Sequence, residues 1–141
     1  MRAIKNEREA TIKMVNFPTP KTAIRKGYDY GPFFIFRNKS TLNGGNYWLI
    51  YHWPTSMDHF VTTGDTKKQM QVVADWLLKI KIDWEKPLDL EKIQDVIGGR
   101  IRTIANEACC LCYEEKGSYM FKTILESLEK LVKECNENLS S

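Results

Sequence analysis

The chain has 141 residues, of which 43% are hydrophobic and 28% charged, and its formal net charge is +3. This length is typical of one domain, and this composition is that of an ordinary soluble globular protein, which excludes a disordered chain. No apolar run reaches the roughly 20 residues that a membrane-spanning helix needs, and residues 1–9 lack the apolar segment of a secretory signal. We therefore expect a single cytoplasmic domain over residues 1–141 that does not contact a membrane.

The first part of the chain has the pattern of an antiparallel sheet. Residues 10–17 predict a strand, residues 21–31 predict a basic loop, and residues 33–37 and 47–53 predict two strong strands rich in aromatic and β-branched residues. The Asn- and Gly-rich segment between these two strands predicts a hairpin tip, and residues 59–63 predict a short return strand. Residues 10–63 are thus expected to be mainly β, as a small β-meander.

The rest of the chain has helical periodicity. Apolar residues spaced by three and four predict helices near residues 66–82, 89–115 and 118–136, the first of them capped by Asp65 or Thr66. Residues 64–138 are therefore expected to be mainly α. Together the two parts predict an α+β fold, with a small N-terminal antiparallel sheet followed by a helix and a C-terminal helical hairpin.

The predicted hairpin is apolar on both faces. Phe33 and Ile35 alternate with Phe34 and Phe36, whereas a sheet that is wet on one side alternates between apolar and polar residues. Helices, a second subunit or a ligand must therefore cover the second face. Because two-fold pairing is a common solution, we expect a homodimer or a higher homo-oligomer.

Positive charge and aromatic rings are concentrated in residues 1–70. This half holds 11 of the 16 aromatic residues and 11 Lys or Arg against 5 Asp or Glu, whereas the second half has 10 against 13. Rings beside cations are what a protein needs to hold bases and phosphates, although rings also simply fill a core. The predicted ligand-binding residues are Arg25, Lys26, Tyr28, Tyr30, Arg37, Lys39, Tyr47, Lys67 and Lys68.

Residues 33–80 carry one resemblance at the level of element order. Gly45-Asn46-Tyr47-Trp48 precedes a predicted strand and Thr66-Lys67-Lys68 begins a predicted helix, which is similar to small three-stranded DNA-binding modules of the integrase arm-binding type. The resemblance covers about a third of the chain. It implies a sheet that contacts DNA through its exposed face.

Two further segments contain residues that could bind an anion or a metal ion. Gly98-Gly99 interrupts a helical pattern beside Arg100 and Arg102, which predicts a broken helix with an anion site at these two arginines, a close helix crossing or a simple kink. Cys109, Cys110 and Cys112 form an incomplete zinc ligand set, which favours core packing over metal binding. We therefore expect no metal and no cofactor.

No motif of a known catalytic class occurs in the sequence. The leading interpretation is a non-enzymatic regulatory or binding protein whose basic and aromatic first half contacts a nucleic acid or a nucleotide. The alternative is a protein–protein inhibitor of the kind that phages and mobile elements encode, which would bind its protein target through an apolar sheet face and amphipathic helices.

Overall fold

A computed structural model describes residues 7–14, 21–39, 45–56 and 62–141 and shows an α+β fold. Five strands come first: β1 (Arg8–Met14), β2 (Lys21–Tyr30), β3 (Phe33–Lys39), β4 (Asn46–His52) and β5 (Thr63–Gly64). Four helices follow: α1 (Lys67–Leu77), α2 (Leu90–Ile97), α3 (Arg100–Leu111) and α4 (Tyr119–Ser140). The predicted fold class is therefore confirmed.

The strands form one antiparallel sheet in chain order, from β1 to β5, which is the predicted meander. The central hairpin joins β3 and β4 with Ile35 opposite Ile50. Of the predicted return strand, Thr63 pairs with Leu49 and the strand continues to Gly64, while residues 59–61 lie outside the described residues.

The prediction of a basic loop over residues 21–31 is wrong, because residues 21–30 form β2, the longest of the described strands. Its charged side chains made it resemble a loop, but its backbone pairs with β1 along residues 21–27 and with β3 along residues 27–30. Gly27 lies where the two pairings meet. At the far end of β2, Gly31 has a φ of 59°, and a glycine at this first central position is typical of type II′ hairpin turns.

The helix predicted over residues 89–115 is divided into α2 and α3, which is the break that the sequence left open as one alternative at Gly98-Gly99. Gly98 has a φ of 62°, a conformation that ends a helix and that other residues rarely adopt. No heavy atom lies within 4 Å of a Cβ built on Gly98, so backbone conformation and not close helix packing requires this glycine. The hairpin of α3 and α4 is confirmed, and α4 extends beyond its predicted end to residue 140.

The main core lies between one sheet face and the helices. Tyr30, Phe33 and Ile35 project from the sheet, and each is at most 1% exposed. They belong to one buried cluster with α1 residues such as Val73 and α3 residues such as Ile104. The apolar stripes predicted for these helices therefore serve the core.

The second sheet face has its own buried cluster. Phe34, Phe36, Leu49 and Tyr51 are each at most 2% exposed, and Ala10 and Ile12 of β1 belong to the same cluster. Both faces of the hairpin are thus buried within a single chain. The reason for expecting a homo-oligomer, an uncovered apolar face, no longer holds.

A charged pair closes part of this second face. Arg8 Nε lies 2.5 Å from Asp29 Oδ2, and its guanidinium lies 5.4 Å from the centroids of both the Phe34 and Trp53 rings. Trp53 Nε1 donates a hydrogen bond to Asp29 at 3.3 Å. The hydrogen bond with Asp29 raises the pKa of Arg8. Sequence reasoning missed this group because it did not recognise β2 as a strand.

Candidate functional site

The start of α1 is rigidly defined. Thr66 is the N-cap, and its side chain accepts a hydrogen bond from the Gln69 backbone N–H at 3.1 Å. The Gln69 side chain in turn accepts from the backbone N–H of Thr66 at 3.1 Å, which completes a capping box. Because Gln69 is 3% exposed, this first turn is anchored in the protein. The anchored turn fixes the backbone that carries Lys67 and Lys68.

Lys67 lies over an aromatic ring of the sheet. Its Nζ is 4.2 Å from the centroid of the Tyr28 ring, a cation–π distance, and the Tyr28 and Trp48 ring centroids are 6.4 Å apart. Both rings are half-buried. Tyr28, Trp48 and Lys67 therefore meet at one end of the helix-covered sheet face, beside the start of α1.

Two further cations lie on the same sheet face. Arg37 is directly opposite Trp48 in the β3–β4 register, so the two side chains project to one side. Lys26 lies two residues before Tyr28 on β2, and the alternation of a strand places it on that side as well. Both are exposed. We call Lys26, Tyr28, Arg37, Trp48 and Lys67 the basic–aromatic patch.

The surroundings of the patch leave it positively charged. The first turn of α1 contains no acidic residue, and the neighbouring Asp65 carboxylate accepts a hydrogen bond from the Tyr113 hydroxyl. Within the described part of the chain, no ion pair or hydrogen bond involves the side chains of Lys26 and Arg37. Glu9 is the acidic residue opposite Lys26 in the β1–β2 register. The patch therefore combines an excess of cations with two ring systems.

Three predicted ligand-binding residues of β2 and β4 do not join the patch. Tyr30 is 1% exposed and its hydroxyl donates to Asp75 at 2.7 Å, so it is a core residue that cannot stack on a surface ligand. Arg25 and Tyr47 project to the opposite face, where Arg25 Nε donates to Asn38 at 2.7 Å and Tyr47 packs against the second cluster. Lys39 ends β3, and its side chain lies outside the described residues.

The remaining predicted cations are scattered. Lys68 is exposed on the first turn of α1 and adjoins the patch, and Arg102 is exposed on α3. Arg100 donates to the Ile97 carbonyl at 2.9 Å and lies 3.6 Å from Glu134 of α4. Its guanidinium therefore closes the end of α2 and ties it to α4. The helix break at Gly98 is present, as one of the predicted alternatives required. The Arg100 guanidinium, however, already contacts Ile97 and Glu134 instead of being available as an anion site.

His52 is a buried structural residue. Its Nε2 lies 2.7 Å from the Trp84 carbonyl, which can only accept, so Nε2 carries the proton. Nδ1 then accepts from the Thr55 hydroxyl at 2.7 Å, and the Thr55 oxygen accepts from the Leu88 backbone N–H at 2.9 Å. Burial is the main cause that lowers the pKa of His52. This chain of hydrogen bonds ties β4 to the segment between α1 and α2, while His59 lies outside the described residues.

The cysteines are free thiols in three environments. Cys135 is fully buried, Cys109 and Cys112 are half-buried, and Cys110 is exposed. Burial, followed by the neighbouring Cys112, raises the pKa of Cys109 to about 11, so this thiol is protonated at neutral pH. Among the residues that the structure describes, no three His, Cys, Asp or Glu are grouped as a metal site would require. Packing therefore accounts for three of the thiols, but not for Cys110.

Comparison of the chain with protein-family models, with curated proteins and with solved structures finds no match. None of the helices in the described ranges has both the length and the apolar character that crossing a bilayer requires. The function is therefore inferred from the chemistry of the basic–aromatic patch.

Proposed function

We propose that this protein is a non-enzymatic binding protein whose basic–aromatic patch holds a phosphate-bearing ligand, either a nucleic acid or a nucleotide. The observation that carries the proposal is the position of the Lys67 ammonium over Tyr28, beside Trp48 and close to the row that contains Arg37. Bases stack on aromatic faces while lysine and arginine contact phosphates. Because the lysine side chain is flexible, Lys67 can move from the ring to a phosphate when a base takes its place.

The sequence of the first helical turn supports an anionic ligand. Lys67 and Lys68 occupy the first two positions of α1, where the helix dipole disfavours positive charge by about 0.3–1 kcal/mol per residue. The cation–π contact with Tyr28 offsets part of this cost for Lys67. A phosphate bound beside the helix start would offset the rest. The capping box keeps the helix formed in spite of the two lysines.

The proposal is tested by fluorescence anisotropy with a labelled single strand of about ten nucleotides, a length within the range that binding domains cover. Lys67→Glu and Arg37→Glu should each weaken binding at least tenfold, and added salt should weaken binding by the wild-type protein steeply. Lys122→Glu on the exposed side of α4 makes the same charge change away from the patch and should have little effect. If the wild-type protein binds neither a single strand, nor a duplex, nor a nucleotide at low salt, the proposal is wrong.

The competing function is inhibition of a protein target, in the manner of phage and mobile-element inhibitors. One surface on which it depended, the apolar sheet face, is buried within the chain. A different observation favours it: Tyr113, Tyr119 and Met120 around the turn between α3 and α4 are 65%, 81% and 50% exposed. Tyr119→Ser with Met120→Ser should leave nucleic-acid binding unchanged. Loss of nucleic-acid binding in this double variant would place the ligand on this surface instead of the patch.

The expected homo-oligomer remains a prediction. Light scattering at micromolar concentration tests it against the monomer mass of 16.4 kDa. Because each sheet face has a buried cluster in one chain, a monomer would agree with the described packing. A dimer mass would require another interface.

A further inference from the structure

Strands β1 and β2 form a two-stranded ribbon that extends past the rest of the sheet. The β1–β2 pairing runs from Arg8 opposite Gly27 to Met14 opposite Lys21. The β2–β3 pairing begins only at Gly27 and continues to Tyr30. Among the described strands, residues 21–26 therefore have β1 as their pairing partner. Gly27 marks the point at which the ribbon leaves the sheet.

The ribbon has one packed face and one open face. Ala10 and Ile12 project from the packed face into the second core cluster. The alternating residues project to the other side, the side of Tyr28 and Arg37, and all of them are exposed. We call Glu9, Thr11, Lys13, Thr22, Ile24 and Lys26 the ribbon face.

The composition of the ribbon face suits a groove of a nucleic acid. On this side of the ribbon Lys13 and Lys26 are basic and Glu9, opposite Lys26, is acidic, whereas Arg8, Lys21 and Arg25 project to the packed side. At the centre of the ribbon face, Ile24 is 65% exposed and lies opposite Thr11. Methyl-bearing side chains of this kind contact the thymine methyl group, and the flanking Lys13 and Lys26 can reach phosphates or guanine. Because Ile24 is largely exposed, it does not contribute to the core and is available for such a contact.

We propose that the ribbon face enters the major groove of a B-form DNA duplex, while the basic–aromatic patch contacts the backbone beside that groove. This inference rests on the proposed function and specifies its ligand. The major groove is about 12 Å wide and admits a two-stranded ribbon, whose strands lie about 4.8 Å apart. A seven-residue strand extends about 23 Å, which a duplex can match along its groove but a single nucleotide cannot.

The same geometry excludes double-stranded RNA as the preferred ligand. The major groove of an A-form helix is deep and narrow, so a ribbon cannot enter it. The open face of the ribbon would then lose its contacts with bases. A DNA duplex should therefore bind at least tenfold more tightly than an RNA duplex of the same sequence.

The experiment measures anisotropy of three labelled probes: a 20-base-pair DNA duplex, the RNA duplex of the same sequence and one DNA strand alone. Lys13→Glu and Ile24→Glu change exposed positions outside the patch, and Lys122→Glu is the matched control. Both ribbon variants should weaken binding of the DNA duplex at least tenfold while changing binding of the single strand less than twofold. Arg37→Glu should weaken binding of both DNA probes. Thermal melts of each variant establish that it is folded.

Each other result has a distinct meaning. If Arg37→Glu weakens duplex binding but neither ribbon variant does, the ribbon inference is overturned and the proposed function stands. Equal binding of the DNA and RNA duplexes would also overturn the ribbon inference alone. If no probe binds and nucleotides do not bind either, the proposed function itself fails.

Discussion

Replacing Gly27 with alanine should destabilise the fold, because β3 leaves no room for a side chain at this position of β2. A Cβ built at this position lies 2.4 Å from the carbonyl oxygen of Ile35, 2.8 Å from Cζ of Phe34 and 2.9 Å from Cβ of Phe36. Two of these three atoms are backbone or Cβ atoms of β3, which cannot move unless the strand moves. The methyl group therefore has to push the two strands apart at the point where the ribbon leaves the sheet.

The size of the effect follows from two opposing contributions. Alanine restricts the unfolded chain more than glycine does, which stabilises the folded state by about 0.4–1 kcal/mol. Overpacking in a well-packed core costs about 1–3 kcal/mol, and contacts this short with backbone atoms favour the upper end of that range. The net loss should be about 2 kcal/mol, which lowers the melting temperature of a chain of this size by about 4–8 °C.

Thermal and urea unfolding of Gly27→Ala measures this loss. Gly99→Ala is the matched control, since no heavy atom lies within 4 Å of its added Cβ and its φ of −81° suits any residue. The control should change stability by less than about 1 kcal/mol, because only the preference at the start of α3 is altered. A Gly27→Ala protein as stable as the wild type would refute the close approach of β3 to Gly27 of β2.

Three further outcomes are expected. Because the pKa of His52 is lowered in the folded protein, the unfolded chain takes up a proton first as the pH falls below about 6.5, and stability should decrease by up to about 1.4 kcal/mol per pH unit. Urea unfolding at several pH values measures how the free energy of unfolding changes with pH, and this change should be smaller in His52→Gln. An equal change in the two proteins would contradict the lowered pKa of His52. Thr66→Ala should cost about 1 kcal/mol in thermal unfolding through loss of the capping box, whereas Thr66→Ser should cost less. In a thiol-reagent titration at pH 7.5, Cys110 should react rapidly and Cys109 only slowly, and a Cys110→Ser protein that keeps the rapid phase would disprove this order.

The sequence predicts the fold class and the central hairpin because β3 and β4 are dense in aromatic and β-branched residues. It misses β2, whose lysines, glycine and aspartate have low strand preference when read alone. The strand forms because β1 and β3 supply partners along it. Likewise, the periodicity that joins α2 to α3 is correct on either side of Gly98, and only the backbone conformation of that glycine separates them.

The candidate site depends on the same missed strand. Once β2 is known to be a strand, alternation alone places Lys26 and Tyr28 on one face and Arg25 on the other. Read as a loop, residues 21–31 give no such division, so the predicted set mixed both faces. The proximity of Lys67 to Tyr28 could not be read from the chain at all, because it depends on how α1 packs across the sheet.

The chain-order sheet has a consequence during synthesis on the ribosome. Each strand pairs with the one made just before it, so the meander can form as it leaves the ribosome. The side chains that cover its helix-facing rings come much later, from Met70 in α1 to Leu111 in α3. Until those residues emerge, the nascent sheet exposes Phe33 and Ile35 to solvent. Chaperones and other nascent chains bind apolar surfaces of this kind. Because the sheet precedes the helices along the chain, the incomplete chain exposes more apolar surface than the folded protein and associates more readily with other proteins.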